Sequence, residues 1–195
     1  CVTCVMEGSR PILAEIQGLA TSSGFGNPRR MATGFDYNRM SLLLAVLEKR
    51  AGYYFANLDA YLNVVGGLRL DEPAVDLAVA LALVSSLKDT PVRDDAIVFG
   101  EIGLAGEIRA VTHAESRVAE AARLGFHRCV LPFHCLRQLS NQPDVEIRKD
   151  IEIVTALQPL RVLVKILSAA AQHDGRNVKF LQIRFRERID QTGSR

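Results

Sequence analysis

The run Tyr61-Leu62-Asn63-Val64-Val65-Gly66-Gly67-Leu68-Arg69-Leu70-Asp71-Glu72-Pro73-Ala74 reads as a buried strand, a diglycine, a polar turn and the entry to a helix. Pro73 suits a first helical turn, where its missing N–H is no loss. Strand-turn-helix junctions of this kind often carry chemistry, yet the position open to a nucleophile holds Ala74, whose methyl has nothing to attack with. Asp71, Glu72 and Asp76 crowd the same junction. They read as a cation site or, preferably, as acids at a helix N-terminus, each stabilised by about 0.3–1 kcal/mol.

Other groups could do chemistry. His113 and Ser116 stand three apart at an expected helix start and so share a face, but no oxyanion donor or third orienting residue accompanies them. Ser116 reads equally well as a surface residue, and no catalytic residue is assigned. Cys1-x-x-Cys4 has the spacing of half a zinc site. Cys129, His134 and Cys135 could complete it only through tertiary contact, and residues 1 and 4 of a strand point to opposite faces. Reduced structural thiols are expected, with no metal. His127 and His134 flank an apolar strand as polar edge residues.

Arginines are the better binding candidates. Arg29 and Arg30 follow a Gly-rich loop, Arg69 follows the diglycine, and Arg109 lies on the return of an expected hairpin. A guanidinium fork grips phosphate oxygens bidentately. A solvated, salt-bridged arginine is the competing reading for each of the four.

The elements that must position these groups follow from periodicity and punctuation. Residues 10–20 read as a strand or strand pair, 21–28 as a loop, and 29–34 as a strand. Asp36 caps a helix from Tyr37 to about Arg50, with an apolar face of Tyr37, Met40, Leu44, Leu47 and Ala51, stopped by Gly52. A strand at 60–65 precedes a helix from Pro73 to Leu87 that is apolar almost all round and hence deeply buried. Residues 97–102 read as a strand, 103–106 as a tight turn and 107–111 as the hairpin partner. Helices at 114–124 and 134–140, strands at 129–132 and 151–154, and a helix at 156–171 with Pro159 in its first turn complete the pattern. Strand-rich at first and alternating afterwards, it predicts an α/β (α+β) fold, a mixed sheet layered with helices.

At 195 residues and 48% hydrophobic, the chain can bury a substantial core, with one domain over 1–172 and a basic tail over 173–195. Residues 176–195 carry a net +4 against an overall +2, so the rest carries −2. Such a tail is compatible with a polyanion partner, but a solvated, partly disordered end is the preferred reading, with an artefact of the reading frame as a further one. No apolar run reaches the ~18 residues of a membrane span, and no charged segment of a secretory signal opens the chain. Starting at Cys1 in mid-strand pattern, it reads as a fragment of something longer.

Several ordered motifs carry a family resemblance. They are Met6-Glu7-Gly8-Ser9-Arg10-Pro11, Phe25-Gly26-Asn27-Pro28-Arg29-Arg30, Asp36-Tyr37-Asn38-Arg39, Leu44 to Arg50, Gly66 to Pro73, and Phe99-Gly100-Glu101-Ile102-Gly103-Leu104. Over residues 3–170 the chain resembles the C-terminal Lon-protease-like domain, of the ribosomal-S5-domain-2-like type, of the bacterial RadA (Sms) family of DNA repair and recombination proteins. The resemblance implies a chain that elsewhere carries a zinc finger and a RecA-like ATPase core using ATP with Mg. It further implies a cytoplasmic homo-hexamer that drives branch migration on single-stranded and branched DNA alongside the RecA recombinase. No Gly-x-x-x-x-Gly-Lys-Ser/Thr loop occurs in these 195 residues, and Gly24-Phe25-Gly26 lacks the lysine, so no cofactor is expected here.

Lon-type proteases use a serine-lysine pair. Carried onto this sequence, the serine falls at Ala74 and the lysine near Glu115, so the resemblance implies a non-proteolytic domain that is not itself an enzyme. With DNA as the partner and a ring as the assembly that the resemblance implies, the candidates Arg29, Arg30, Arg69 and Arg109 would each contact it weakly, and ring assembly would multiply the effect. The rival readings are a residual peptide-binding or protease-like module and a purely structural oligomerisation domain.

Overall fold

The computed structural model describes residues 1–24, 26–140 and 152–156. The tail at 173–195 and nearly all of the helix expected at 156–171 lie outside them. The chain runs β1 (Val2–Glu7), β2 (Arg10–Ser22), β3 (Arg30–Thr33), α1 (Tyr37–Val46), β4 (Leu58–Val64), α2 (Asp76–Leu87) and β5 (Ala96–Val98). It continues through β6 (Glu101–Ile102), β7 (Ile108–Arg109), α3 (Ala114–Arg123), β8 (Arg128–Pro132), α4 (Leu136–Ser140) and β9 (Glu152–Ala156).

Seven strands form one mixed sheet in the order β3-β4-β2-β1-β5-β8-β9, and β6 with β7 forms a separate ribbon. β2 is the hinge of the topology. It pairs antiparallel with β1 over its first half and with β4 over its second, from Ile16 opposite Val64 to Ser22 opposite Leu58. The β3–β4, β1–β5, β5–β8 and β8–β9 pairs are parallel. Helices cover both faces of the sheet. Ala14, Ile16, Val98 and Val130 join α1 and α2 in one apolar cluster, while Leu13, Ile97, Cys129 and Leu131 pack with α3 in another.

Local chemistry explains the helices. The Asp36 carboxylate accepts the Arg39 N–H at 2.7 Å and caps α1. The last turn of α1 widens to a π turn over Leu47–Ala51 before Gly52, at φ 77°, ends it. Pro73 opens a 3₁₀ turn that runs into α2. As its composition predicts, α2 is buried all round: Asp76 through Val84 are all enclosed. It lies directly on the β2 backbone at Gly18, where an added Cβ would stand 2.8 Å from the Ala82 carbonyl carbon. Gly18→Ala is therefore expected to cost about 1–3 kcal/mol, because backbone on both sides must move. Gly24→Ala, where a Cβ would meet nothing, should be near neutral, and urea unfolding midpoints compare the two.

One expected strand is broken. Residues 97–102 do not run straight through: the Gly100 N–H donates to the Ala74 carbonyl at 2.6 Å, and the Gly100 carbonyl accepts the Leu77 N–H at 3.0 Å. The chain thus leaves the sheet after β5 to clamp the start of α2, then forms the β6–β7 ribbon. Among the described residues no helix is long and apolar enough to cross a membrane.

Candidate functional site

Ala74 sits where a strand-turn-helix nucleophile would be, and it is 2% exposed. Its methyl packs in the cluster of Ile97, Phe99, Val111, Ala114 and Val118. A cleft open to substrate is not what surrounds it. The segment carried over as the lysine site also differs in detail. Glu115 and Ser116 are half-buried and His113 is exposed at φ 56°, and no hydrogen bond joins His113 to Ser116. The side chain of this segment that reaches the Ala74 turn is Arg117.

Arg117 is fully buried. Its Nη2 pairs with Glu72 Oε1, its Nη1 donates to the Cys4 carbonyl and to Glu72 Oε2 at 3.2 Å, and its Nε donates to the Thr112 carbonyl at 3.1 Å. The guanidinium carbon lies 5.7 Å from the Phe99 ring centroid. Glu72 Oε2 also accepts the Met6 N–H at 2.9 Å. The pair therefore locks α3, β1 and the entry of α2 together. An arginine keeps its proton at any working pH and cannot act as a general base. With Ala74 beside it, neither of these two side chains offers a nucleophile or a proton acceptor.

The acidic cluster resolves into three separate ion pairs. Exposed Asp71 meets Arg69 at 3.1 Å, and Glu72 meets Arg117. Asp76, fully buried in the first turn of α2, accepts Arg39 Nε on Oδ1 at 2.6 Å, pairs with Arg39 Nη2 through Oδ2, and accepts the Ile102 N–H at 3.1 Å. Burial pushes the Asp76 carboxyl above its usual range, against the pull of Arg39 and the amide. Dipole stabilisation alone therefore does not account for these acids: each has its own cation. Among the described residues no group of three or more His, Cys, Asp or Glu side chains could hold a metal ion.

The four cysteines are free thiols, with Cys4, Cys129 and Cys135 fully enclosed. Burial pushes Cys4 up to about 11 and raises Cys129 and Cys135, so all three are unreactive thiols.

The four candidate arginines occupy three places. Arg29 is exposed, and its backbone N–H donates to Asp59 Oδ1 at 2.7 Å. Arg30 turns inward: its Nη1 donates to the Leu58 and Arg29 carbonyls and its Nη2 to the Phe55 carbonyl at 2.7 Å. Arg30 thus pins the loop ahead of β4. Arg69, 78% exposed, lies beside a cavity of about 220 Å³ whose lining includes Met6, Glu7 and Glu72. Arg109 pairs with Glu101 and Glu107. It borders a cavity of about 510 Å³ between α1 and the ribbon, floored by the Arg39–Asp76 pair and walled by Leu42, Val46 and Leu104.

Sequence reasoning passed over Arg39 and Arg117. Arg117 was findable: Ala114, Arg117, Val118 and Ala121 are the buried residues of α3, a helical stripe with one charged member. A cation on a buried stripe requires a partner, although its position 45 residues away gives no local signal.

A protein named DNA repair protein RadA from Bacillus subtilis (strain 168) is 50% identical over 157 residues, covering 80% of this chain and 34% of that protein. Its namesake from Listeria monocytogenes serovar 1/2a is 52% identical over 153 residues, 78% of this chain and 32% of the relative. The one from Halalkalibacterium halodurans is 55% identical over 131 residues, 67% and 29%. The chain spans about a third of the length of these curated relatives. A family model described as subunit ChlI of Mg-chelatase matches residues 39–135.

Proposed function

We propose that this relative of the proteins named DNA repair protein RadA is a Lon-like domain that keeps a hydrolase scaffold without its reaction and serves DNA repair by contacting DNA and holding subunits together. One observation carries the reading: Ala74 in a closed apolar cluster beside an Arg117 committed to Glu72, where a protease needs a nucleophile and a base within hydrogen-bond reach. Identity near 50% to such proteins supports the repair context. In the larger protein the domain would work in the cytoplasm as part of a hexameric, ATP-dependent branch-migration motor acting on single-stranded and branched DNA beside the RecA recombinase. Its ATP with Mg and its zinc would be held outside the residues seen here.

Of the candidate DNA contacts, Arg29 is the best placed to meet a phosphate, being exposed, with Arg69 and Arg109 next. Arg30 serves them by fixing the loop. Fluorescence anisotropy with labelled single-stranded and branched DNA should give an affinity that falls with salt, and Arg29→Ala should lower the salt slope by about 0.7–0.9. The chain should leave casein uncut. Salt-indifferent DNA behaviour, or casein cleavage removed by Ser116→Ala, would sink this reading.

A further inference from the structure

The loop between α1 and β4 displays one aromatic ring to solvent in a way that packing does not explain. Tyr53 and Phe55 are buried, at 5% and 0% exposure, whereas Tyr54 between them is 73% exposed. Two core anchors therefore fix the backbone on either side and turn the Tyr54 ring outward. The loop is held again at its far end. Arg30 donates to the Phe55 and Leu58 carbonyls, the Ser23 N–H donates to the Asn57 carbonyl at 3.2 Å, and the Leu58 N–H returns to the Phe55 carbonyl at 3.0 Å. At its near end the Tyr53 N–H closes onto the Leu47 carbonyl at 3.1 Å, across the π turn.

Cations lie on the segments that flank this loop. Lys49 and Arg50 are exposed in the π turn immediately before it. Lys88, just past α2, lies over the Tyr53 ring with Nζ 5.7 Å from its centroid. Arg29 and Arg30 enter from β3. The same segments carry three carboxylates: Asp59 accepts the Arg29 N–H and the Tyr61 hydroxyl, Glu48 precedes Lys49 and Asp89 follows Lys88. These flanking segments thus carry five cations against three anions.

We infer that the Tyr54 loop is a contact for single-stranded nucleic acid, with an unpaired base stacked on the Tyr54 ring and the flanking phosphates met by Lys49 and Lys88. A duplex hides its base faces inside the stack, so an outward, rigidly mounted aromatic ring on a loop flanked by cationic segments suits a single strand. This assignment rests on the DNA-contact reading above and locates a site that reading does not contain.

The test uses the 195-residue chain with a fluorescein-labelled oligothymidylate of about 20 nucleotides, a few times the site size of such surfaces, and a duplex of equal length. Tyr54→Ala should weaken single-strand binding about ten-fold, the loss of one stacked base, and leave duplex binding unchanged. Tyr54→Phe, which keeps the ring, should bind like the parent. Lys49→Ala and Lys88→Ala should each lower the single-strand salt slope by about 0.7. If the parent binds the single strand and Tyr54→Ala does too, or if Tyr54→Ala weakens duplex equally, the site is overturned and DNA contact elsewhere survives. If the parent binds neither probe, both fall.

Discussion

Replacing Glu72 by alanine is expected to destabilise the chain by about 3–5 kcal/mol, the range for stripping the partner from a buried charge. The magnitude follows from which partner remains. Arg117 has no exposed surface, whereas the Glu72 side chain is 24% exposed. Removing Glu72 leaves a guanidinium in an apolar cluster with only the Cys4 and Thr112 carbonyls, and it also orphans the Met6 N–H. Removing Arg117 leaves a carboxylate that water can reach, so Arg117→Met should be the milder change. Combining Glu72→Leu with Arg117→Met should recover much of the loss, since an apolar pair of similar volume needs no desolvated charge. Urea unfolding midpoints at constant slope measure all three. Equal, small losses for the two single variants would show a solvated pair and refute the lock between α3, β1 and α2.

The Arg39–Asp76 pair gives the second large effect with the opposite asymmetry. Here the acid is fully buried and the arginine is 34% exposed. Arg39→Ala therefore leaves a buried carboxylate with the Ile102 N–H as its remaining hydrogen-bond donor, and should cost about 3–5 kcal/mol near neutral pH. Asp76→Asn should cost less, because Arg39 can turn to water. The pH dependence has a definite sign. Burial already holds Asp76 above its usual range, and losing Arg39 raises it further. The variant's native state then holds a proton that the parent's native state has released, so the loss shrinks as pH falls from the variant's raised native value to the parent's own, which lies above the ordinary carboxylate range near about 4. A destabilisation equal at both ends of that window would show that Asp76 is not the group left uncompensated.

Together the two pairs explain what keeps this strand-turn-helix junction ordered. Glu72, Pro73, Ala74 and Asp76 are tied from three directions: by α3 through Arg117, by α1 through Arg39, and by the chain after β5 through Gly100. The groups at this turn serve structure, whereas the proposed DNA contacts are exposed arginines and the Tyr54 loop.

Much of this was legible in the linear chain, because it depends on near neighbours. Asp36 announces the cap of α1, Gly52 its left-handed end, and the unbroken apolar composition of α2 its complete burial. Gly103 to Gly106 marks the ribbon turn. What the sequence left open depends on contacts far apart along it. The strand expected at 97–102 is interrupted because Gly100 bonds to Ala74 and Leu77, groups more than twenty residues away that no local pattern announces. The acids at 71, 72 and 76 look alike in sequence, yet burial and distant arginines give each a different partner. Likewise Arg29 and Arg30, adjacent and identical, part company when one faces water and the other pins the loop. Propensity and periodicity act over a few residues and so fix the elements, whereas the fate of a charge depends on what the folded chain brings beside it.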